Sequence, residues 1–305
     1  VSRPKLLVLV GPTAAGKTQL ACALAQRLGA EIVSADSQQC YRGLDLGTAK
    51  PTQAEQQLAR HHLLDVADPD QQLDAGAFAR LADAAIAGIA DRGKRVLVAG
   101  GTGLWVRALL QGLVAAPGAN PAFRAALRTE MDALGVPALH ARLSQLDPAA
   151  AAGIMINDKV RIERALEVQA LSGRRLSELQ REHRFLERRY PAQLLFLDPP
   201  RALLHERIAA RTRAMFASGA LERETRLLLE SKAKRALKII GYGECAAALA
   251  GTLTWAQAEE RTIIRTRQYA KRQRTWFARE TQPLDWPVDA DGLCAAAEQW
   301  YLSDR

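Results

Sequence analysis

Eight consecutive residues restrict this chain more than any other stretch. Gly11-Pro-Thr-Ala-Ala-Gly-Lys-Thr18 follows the apolar run Leu6–Val10 and leads into a helix-compatible series with Gln19, Leu20, Ala21 and Leu24. The pattern G-x-x-x-x-G-K-[ST] between a strand and a helix predicts a phosphate-binding loop. Its glycines let the backbone curl until successive N–H groups face phosphate oxygens, and the helix starting near Lys17 adds its positive end. Gly11, Thr13, Ala14, Ala15, Gly16, Lys17 and Thr18 are therefore the candidate diphosphate-binding residues. Lys17 supplies a mobile charge, and Thr18 a hydroxyl suited to Mg²⁺. The loop asks for a diphosphate or longer and leaves the rest of the ligand open.

The 305 residues suffice for a full hydrophobic core. A formal net charge of +9 favours polyanionic partners. Cys22, Cys40, Cys245 and Cys294 are scattered without C-x-x-C or His-Cys spacing, so neither a disulfide framework nor a zinc site is indicated and a reducing cytoplasm is expected. No apolar run approaches the roughly 18 residues of a membrane helix, and the N-terminal LLVLV runs straight into the phosphate loop instead of a signal cleavage site.

Along the chain, Glu31–Ala35 predicts a second buried strand, closing at Asp36. Ligands of parallel sheets sit at the carboxyl ends of strands, which places Asp36 near the loop; a helix-capping role is the alternative. His61 and His62 are adjacent and point apart, against a two-histidine metal site. Ala75–Ala90 has helical spacing, and Arg95–Ala99 predicts a third strand ending in Gly100-Gly101-Thr102-Gly103, with Thr102 a candidate ligand-facing hydroxyl. From about Leu113, Pro and Gly interrupt the chain and helical patterns follow, with a helix start at Asn157-Asp158 that sets Arg161 and Arg164 on one face. Strand character returns at Gln193–Leu197. The next helix carries Arg207 and Arg211 one turn apart, suited to closing over phosphates, although Glu206 and Glu222 leave a surface role open. Between Arg261 and Arg279 lie seven basic residues and no acidic one, with Tyr269, Trp276 and Phe277 interleaved. Such a stripe is the expected footprint of a nucleic-acid backbone.

These elements predict an α/β fold, a P-loop NTPase-like parallel sheet flanked by helices, with a mostly helical insertion. The expected division is a discontinuous core over 1–112 and 190–280, a helical insertion over 113–189 and a C-terminal tail over 281–305 with a closing helix at Ala290–Leu302.

Taken in order, the segments resemble the tRNA dimethylallyltransferases, also called tRNA isopentenyltransferases. The resemblance runs through GPTAAGKT at Gly11, DSQQCYRGLDLGTAKP at Asp36, HHLLDVADP at His61, GGTGLW at Gly100, NDKVRIERALEV at Asn157, LLHERIAARTRAMFASG at Leu203, IIGYGE at Ile240 and TRQYAKRQRTWFAR at Thr266. No zinc-finger tail follows Trp276, which matches the bacterial members. The resemblance implies transfer of a dimethylallyl group from its diphosphate to N6 of the adenine just 3′ of the tRNA anticodon, with Mg²⁺ and without ATP. It implies Asp36 as general base, Thr13 and Arg211 as holders of the diphosphate, Thr18 as metal ligand and Thr102 beside the entering adenine. Contacts to the anticodon stem-loop would come from Asp36, Ser37, Gln38 and Gln39, from Arg124, and from Val160, Arg161, Ile162, Glu163 and Arg164. Lys238, Ile239, Ile240, Gly241, Tyr242 and Gly243 would add to these, as would Arg267, Lys271 and Arg274. A monomer that contacts no membrane is expected. Trp105, Gly243 and Cys40 depart from the family pattern of Tyr, a basic residue and an aliphatic one. A nucleotide or small-molecule kinase shares the loop, the strand-end Asp and the lid arginines, but has no need of the basic stripe.

Overall fold

A computed structural model of the chain describes residues 3–231, 233 and 235–303, so residues 1 and 2 of the expected core and 304 and 305 of the expected tail lie outside the described residues. Five strands, β1 (Leu6–Val10), β2 (Ala30–Ser34), β3 (His61–His62), β4 (Arg95–Gly100) and β5 (Ala192–Phe196), form one parallel sheet in the order β3-β2-β4-β1-β5. The helices that accompany the first four strands are α1 (Lys17–Leu28), α2 (Gln53–Leu58), α3 (Ala75–Asp91) and α4 (Gly103–Gln111). Between α4 and β5 come α5 (Pro121–Leu134), α6 (Val136–Leu146), α7 (Pro148–Gly153), α8 (Lys159–Ser172) and α9 (Leu176–His183). After β5 follow α10 (Arg201–Ala217), α11 (Ala220–Glu230), a single 3-10 turn at Ala236–Lys238, α12 (Tyr242–Leu249), α13 (Trp255–Phe277) and α14 (Ala290–Leu302).

The chain divides into two compact units, residues 1–110 with 189–305 and residues 111–188. In the first, β1 is buried along its whole length, as an aliphatic run between two parallel neighbours must be. Its side chains alternate between two layers. Leu6, Val8 and Val10 join Phe78, Ile86 and Ile89 of α3, Leu109 of α4 and Phe277 of α13, whereas Leu7 and Leu9 join Leu24 and Leu28 of α1 and Cys294 and Ala297 of α14. Residues 281–303 are thus part of this unit, with α14 packed on α1, and do not form a separate tail. The paired histidines are structural: the His62 ring nitrogen Nε2 lies 2.6 Å from Glu31 Oε2, and His61 Nδ1 lies 2.8 Å from the Ala59 carbonyl. Cys40, at the unusual motif position, is fully buried in the first layer with its Sγ 3.4 Å from the Ser37 carbonyl. Trp105 stacks on Phe78 with ring centroids 4.3 Å apart.

The second unit has its own apolar centre, drawn from Leu127 and Met131 of α5, Leu139 and Leu143 of α6, and Ile162, Ala165 and Leu166 of α8. Helix α8 starts where the sequence predicts, with Asp158 accepting from the Arg161 N–H at 3.1 Å, and it stops at left-handed Gly173. Glu167, fully buried, accepts a two-pronged bond from Arg124 at 2.8 and 2.7 Å, one from Arg164 at 2.8 Å and one from the Asn120 N–H at 2.8 Å. Burial pushes its carboxyl up, but the Arg124 fork, the Asn120 amide and Arg164 outweigh that and leave its pKa at about 2. The folded value lies below the unfolded one of about 4.3. The carboxylate therefore contributes stability above the unfolded value, and that contribution is lost as pH falls toward about 2. Replacing Glu167 by Ala strips Arg164 of its carboxylate, leaves Arg124 only Glu163 at 3.4 Å, and should destabilise this unit by about 3 kcal/mol. Hydrogen exchange of α5 and α8 should show the loss, and Glu167→Gln should flatten their acid dependence across that window.

Candidate active site

The loop after β1 is shaped by close approaches. A Cβ on Gly11 would stand 2.4 Å from the Leu197 carbonyl oxygen at the end of β5. Ala14 (φ 64°) and Gly16 (φ 98°) take left-handed conformations that turn the chain into α1. Lys17 donates to the Pro12 carbonyl at 2.8 Å, and Arg207 of α10 reaches the Ala15 carbonyl at 3.3 Å. One turn further along α10, Arg211 donates to the Thr13 hydroxyl at 2.8 Å, while its Nε is buried without a hydrogen-bond partner. The structure therefore brings Thr13, Lys17 and Arg211 together, as the sequence predicts.

Asp36 closes β2 on the same edge of the sheet. It exerts its charge on both Lys17 and Arg211. Burial lowers the Lys17 ammonium to about 8, against the upward pull of Asp36 and with a further lowering from Arg211. Burial likewise lowers Arg211, with Asp36 opposing. Asp36 Oδ1 also accepts from the Gln38 N–H at 2.9 Å, a turn that fixes its carboxylate without any helix to cap. Just beyond β4, Thr102 accepts from the Ser37 N–H at 2.9 Å and donates to the Ser37 hydroxyl at 3.2 Å. Tyr269 is pushed up by burial and by the charge of Asp36.

Other expected contacts are redistributed. Ser37 and Gln38 line a cavity of about 310 Å³ together with Lys238 and Ile239. Gln39 faces inward, accepting from Ser34 at 3.2 Å and donating to the Ala49 carbonyl at 2.9 Å. Tyr242 is fully buried and donates to Glu224 at 2.5 Å, so it is a packing residue and not an open RNA contact. Buried Gly241 donates to Glu244 at 2.8 Å, half-buried Ile240 precedes it, and Gly243 has a physical reason: a Cβ there would lie 2.6 Å from the Leu237 carbonyl. In the second unit, Val160 (76 % exposed) and Arg161 face solvent. Ile162 lies in the core, Glu163 holds Arg128 at 2.7 and 3.0 Å, and Arg124 and Arg164 are committed to Glu167. The stripe on α13 is also less free than its sequence suggests. Arg274 forks onto Asp198 at 2.6 and 2.9 Å, Arg265 pairs with Glu244, and Arg267 is half-buried. Arg261, Lys271, Arg272 and Arg279 remain outward. The acidic partners of Arg274 and Arg265 stand on other elements, out of reach of a local reading. One site residue is missed altogether: Gln273, which bonds the Thr13 N–H at 2.8 Å and whose only sequence signal is being uncharged within a basic run.

Comparison with known proteins adds a second line. The family model for IPP transferase matches residues 39–280. The tRNA dimethylallyltransferase of Anaeromyxobacter sp. (strain K) is 59% identical over 295 residues, 95% of each chain, and that of Myxococcus xanthus (strain DK1622) is 47% identical over 300 residues, 96% of this chain and 97% of the relative. Among solved structures, the full-length tRNA isopentenylpyrophosphate transferase of Bacillus halodurans is similar with a TM-score of 0.69 and 35% identity, covering 97% of this chain and 95% of that one. A eukaryotic dimethylallyltransferase acting on tRNA superposes with a TM-score of 0.82 and 25% identity, covering 99% of this chain and 80% of that one.

The depressed Lys17 value makes anion binding pH-dependent. Between about 8 and the model-peptide range near 10.4, the folded chain holds fewer protons than the unfolded one, so ligand-free stability rises with pH across that window. Binding of a polyanion needs the ammonium and runs the other way. Calorimetry with inorganic diphosphate should show proton uptake near pH 8 and weakening affinity above it, and Lys17→Arg should remove that dependence.

Proposed function

The chain belongs to the IPP transferase family of tRNA-prenylating enzymes, and from that premise we propose how its residues carry a dimethylallyl group from dimethylallyl diphosphate to N6 of the adenine on the 3′ side of the anticodon. The observation that carries the proposal is the clustering of Lys17, Arg211 and Thr13 around the phosphate loop, with Asp36 beyond the end of β2 on the same edge of the sheet. In the reaction the bond between the dimethylallyl carbon and oxygen breaks, its electron pair leaves with the diphosphate, and a carbon–nitrogen bond forms to N6. The loop N–H groups, Lys17 and Arg211 stabilise the charge that grows on the leaving group. Asp36 takes the N6 proton as the amine attacks. Thr102, locked to Ser37, sits beside the path of the base, which has to leave its stack to reach the carboxylate.

The loop suits Mg²⁺: Thr18 offers one hard oxygen in the first turn of α1, and residues 11–18 hold no carboxylate. This matches an ion that draws most of its ligands from substrate phosphates and water. Bound there, Mg²⁺ supplies further charge neutralisation at the leaving group. The outward charges of Lys271 and Arg272 on α13, and of Arg161 in the insertion unit, are suited to phosphates of the anticodon stem-loop. Affinity for it should therefore fall steeply with salt. No helix among the described residues is long and apolar enough to cross a membrane. We take the enzyme to act as a monomer in the cytoplasm, where its tRNA substrate is.

The test combines the protein, Mg²⁺ and labelled dimethylallyl diphosphate with an anticodon stem-loop holding three consecutive adenines. Label should enter the RNA. Asp36→Ala should lower the single-turnover rate at least about a hundredfold with RNA affinity nearly unchanged. Collapse of RNA affinity with surviving chemistry would remove Asp36 from the role of base.

A further inference from the structure

Gln273 stands on the inner edge of α13, 5% exposed, and its amide is used at both ends. Oε1 accepts from the Thr13 N–H at 2.8 Å, and Nε2 donates to the Gly101 carbonyl at 2.9 Å. The space is fully taken: a Cβ on Gly101 would lie 2.2 Å from Gln273 Nε2 and 3.3 Å from the Gly11 carbonyl. A Cβ on Gly101 would therefore have to push the glutamine amide aside. Thr13 is held from two helices at once, its N–H by α13 and its hydroxyl by Arg211 of α10 at 2.8 Å.

These bonds change what Thr13 does in the loop. Its N–H already has an acceptor, so this amide does not face a phosphate, unlike the usual donors of such loops. What remains turned toward the ligand is the hydroxyl with Arg211 behind it. We propose that Gln273 is a positioning residue for the transfer step, acting through Thr13: it fixes the Thr13 peptide against Gly101 so that the hydroxyl and Arg211 are set for the departing diphosphate. The proposal rests on the transferase reading of the site and adds to it a residue that touches neither substrate. The arrangement demands an acceptor and a donor back to back, which a primary amide provides and an ionised carboxylate does not. A misplacement of about 1 Å at such a site is enough to cost up to a hundredfold in rate.

The experiment measures kcat and tRNA KM for the wild type, Gln273→Met, Gln273→Glu and Gly101→Ala, with thermal unfolding as the check on folding. Gln273→Met, similar in volume and unable to bridge, should lower kcat by about 30-fold with tRNA KM within about twofold. Gly101→Ala should do the same by displacing the amide, and the double variant should be no worse than the poorer single one. Gln273→Glu supplies the readout that packing alone does not move: protonated, its carboxyl both accepts and donates, and ionised it faces the Gly101 carbonyl with a negative charge. The ratio of its kcat to that of the wild type should therefore fall as pH rises through the titration of this carboxyl, which burial pushes up and the nearby Lys17 and Arg211 pull down. If Gln273→Met does not fold, this pH profile alone decides.

A raised tRNA KM with unchanged kcat would overturn the proposal in favour of a direct RNA contact, and a pH-independent ratio would overturn it in favour of simple packing. Binding of inorganic diphosphate, followed by calorimetry, keeps the two readings apart. If the wild type transfers no label, the transferase reading fails, and Gln273→Met still supports the loop role by weakening diphosphate about tenfold or removes it by leaving that affinity unchanged.

Discussion

Parallel pairing of β1 with β4 and β5, and of β4 with β2, obliges these strands to end on one edge of the sheet. Val10 pairs with Gly100 and with Phe196, and Ser34 with Ala99, so the chain leaves the sheet at residues 11, 35, 101 and 197 side by side. The phosphate loop, Asp36 and Thr102 each follow one of these exits. The exits approach so closely that side chains are excluded: a Cβ on Gly100 would stand 2.2 Å from the Ala35 carbonyl oxygen, as one on Gly11 would crowd Leu197. Backbone registry thus places the candidate acid–base group and the anion cradle together before any side chain contributes.

The electrostatics of the ligand-free site follow from that crowding. Lys17 and Arg211 are both lowered by burial, and Asp36 is the carboxylate that pulls each of them back up. Two desolvated cations facing one anion leave an excess of positive charge. That excess is costly in a low-dielectric pocket and is relieved by a polyanion. The present partners are weak substitutes, a carbonyl for Lys17 and a hydroxyl for Arg211. Phosphate oxygens offer both groups stronger, charge-assisted bonds without requiring the loop to refold. A polyanion would therefore answer an unmet solvation of both cations.

How far this was legible depends on the range of each interaction. Four of the five strands, the phosphate loop, the Asp158 cap and the Ala290–Leu302 helix are written in neighbouring residues, and the structure puts them close to where the sequence predicts, whereas β3 is only two residues long and carries no periodic signal. The fate of the arginines is not local. Arg274 meets Asp198 across 76 positions, Arg124 meets Glu167 across 43, and Arg265 meets Glu244 across 21. A segment without acidic residues looks free only until the fold brings carboxylates to it from elsewhere. Gln273 was hidden for the opposite reason. An amide within a basic run carries no periodic or charge signal, and its meaning appears only when Thr13 and Gly101 arrive from distant strand ends.

Helix α13 joins these two levels. Thr266, Ala270, Gln273 and Phe277 recur at three- and four-residue steps and form its buried edge, whereas Lys271 and Arg272 point outward. Over 23 residues the helix is about 35 Å long. Its rotation about its own axis must be fixed, because Gln273 meets the Thr13 amide only if its edge is turned inward. Core packing of Ile263, Ala270 and Phe277 holds it, and Arg274 adds a polar restraint. It follows Gln273 by one residue, about 100° around the helix, and its planar fork locks onto both oxygens of Asp198 immediately beyond β5. A guanidinium that a local reading assigns to RNA thus ties the helix to the sheet, and in doing so sets its neighbour against the phosphate loop. The same helix then presents Lys271 and Arg272 on its solvent face, in fixed register with the glutamine that meets the loop.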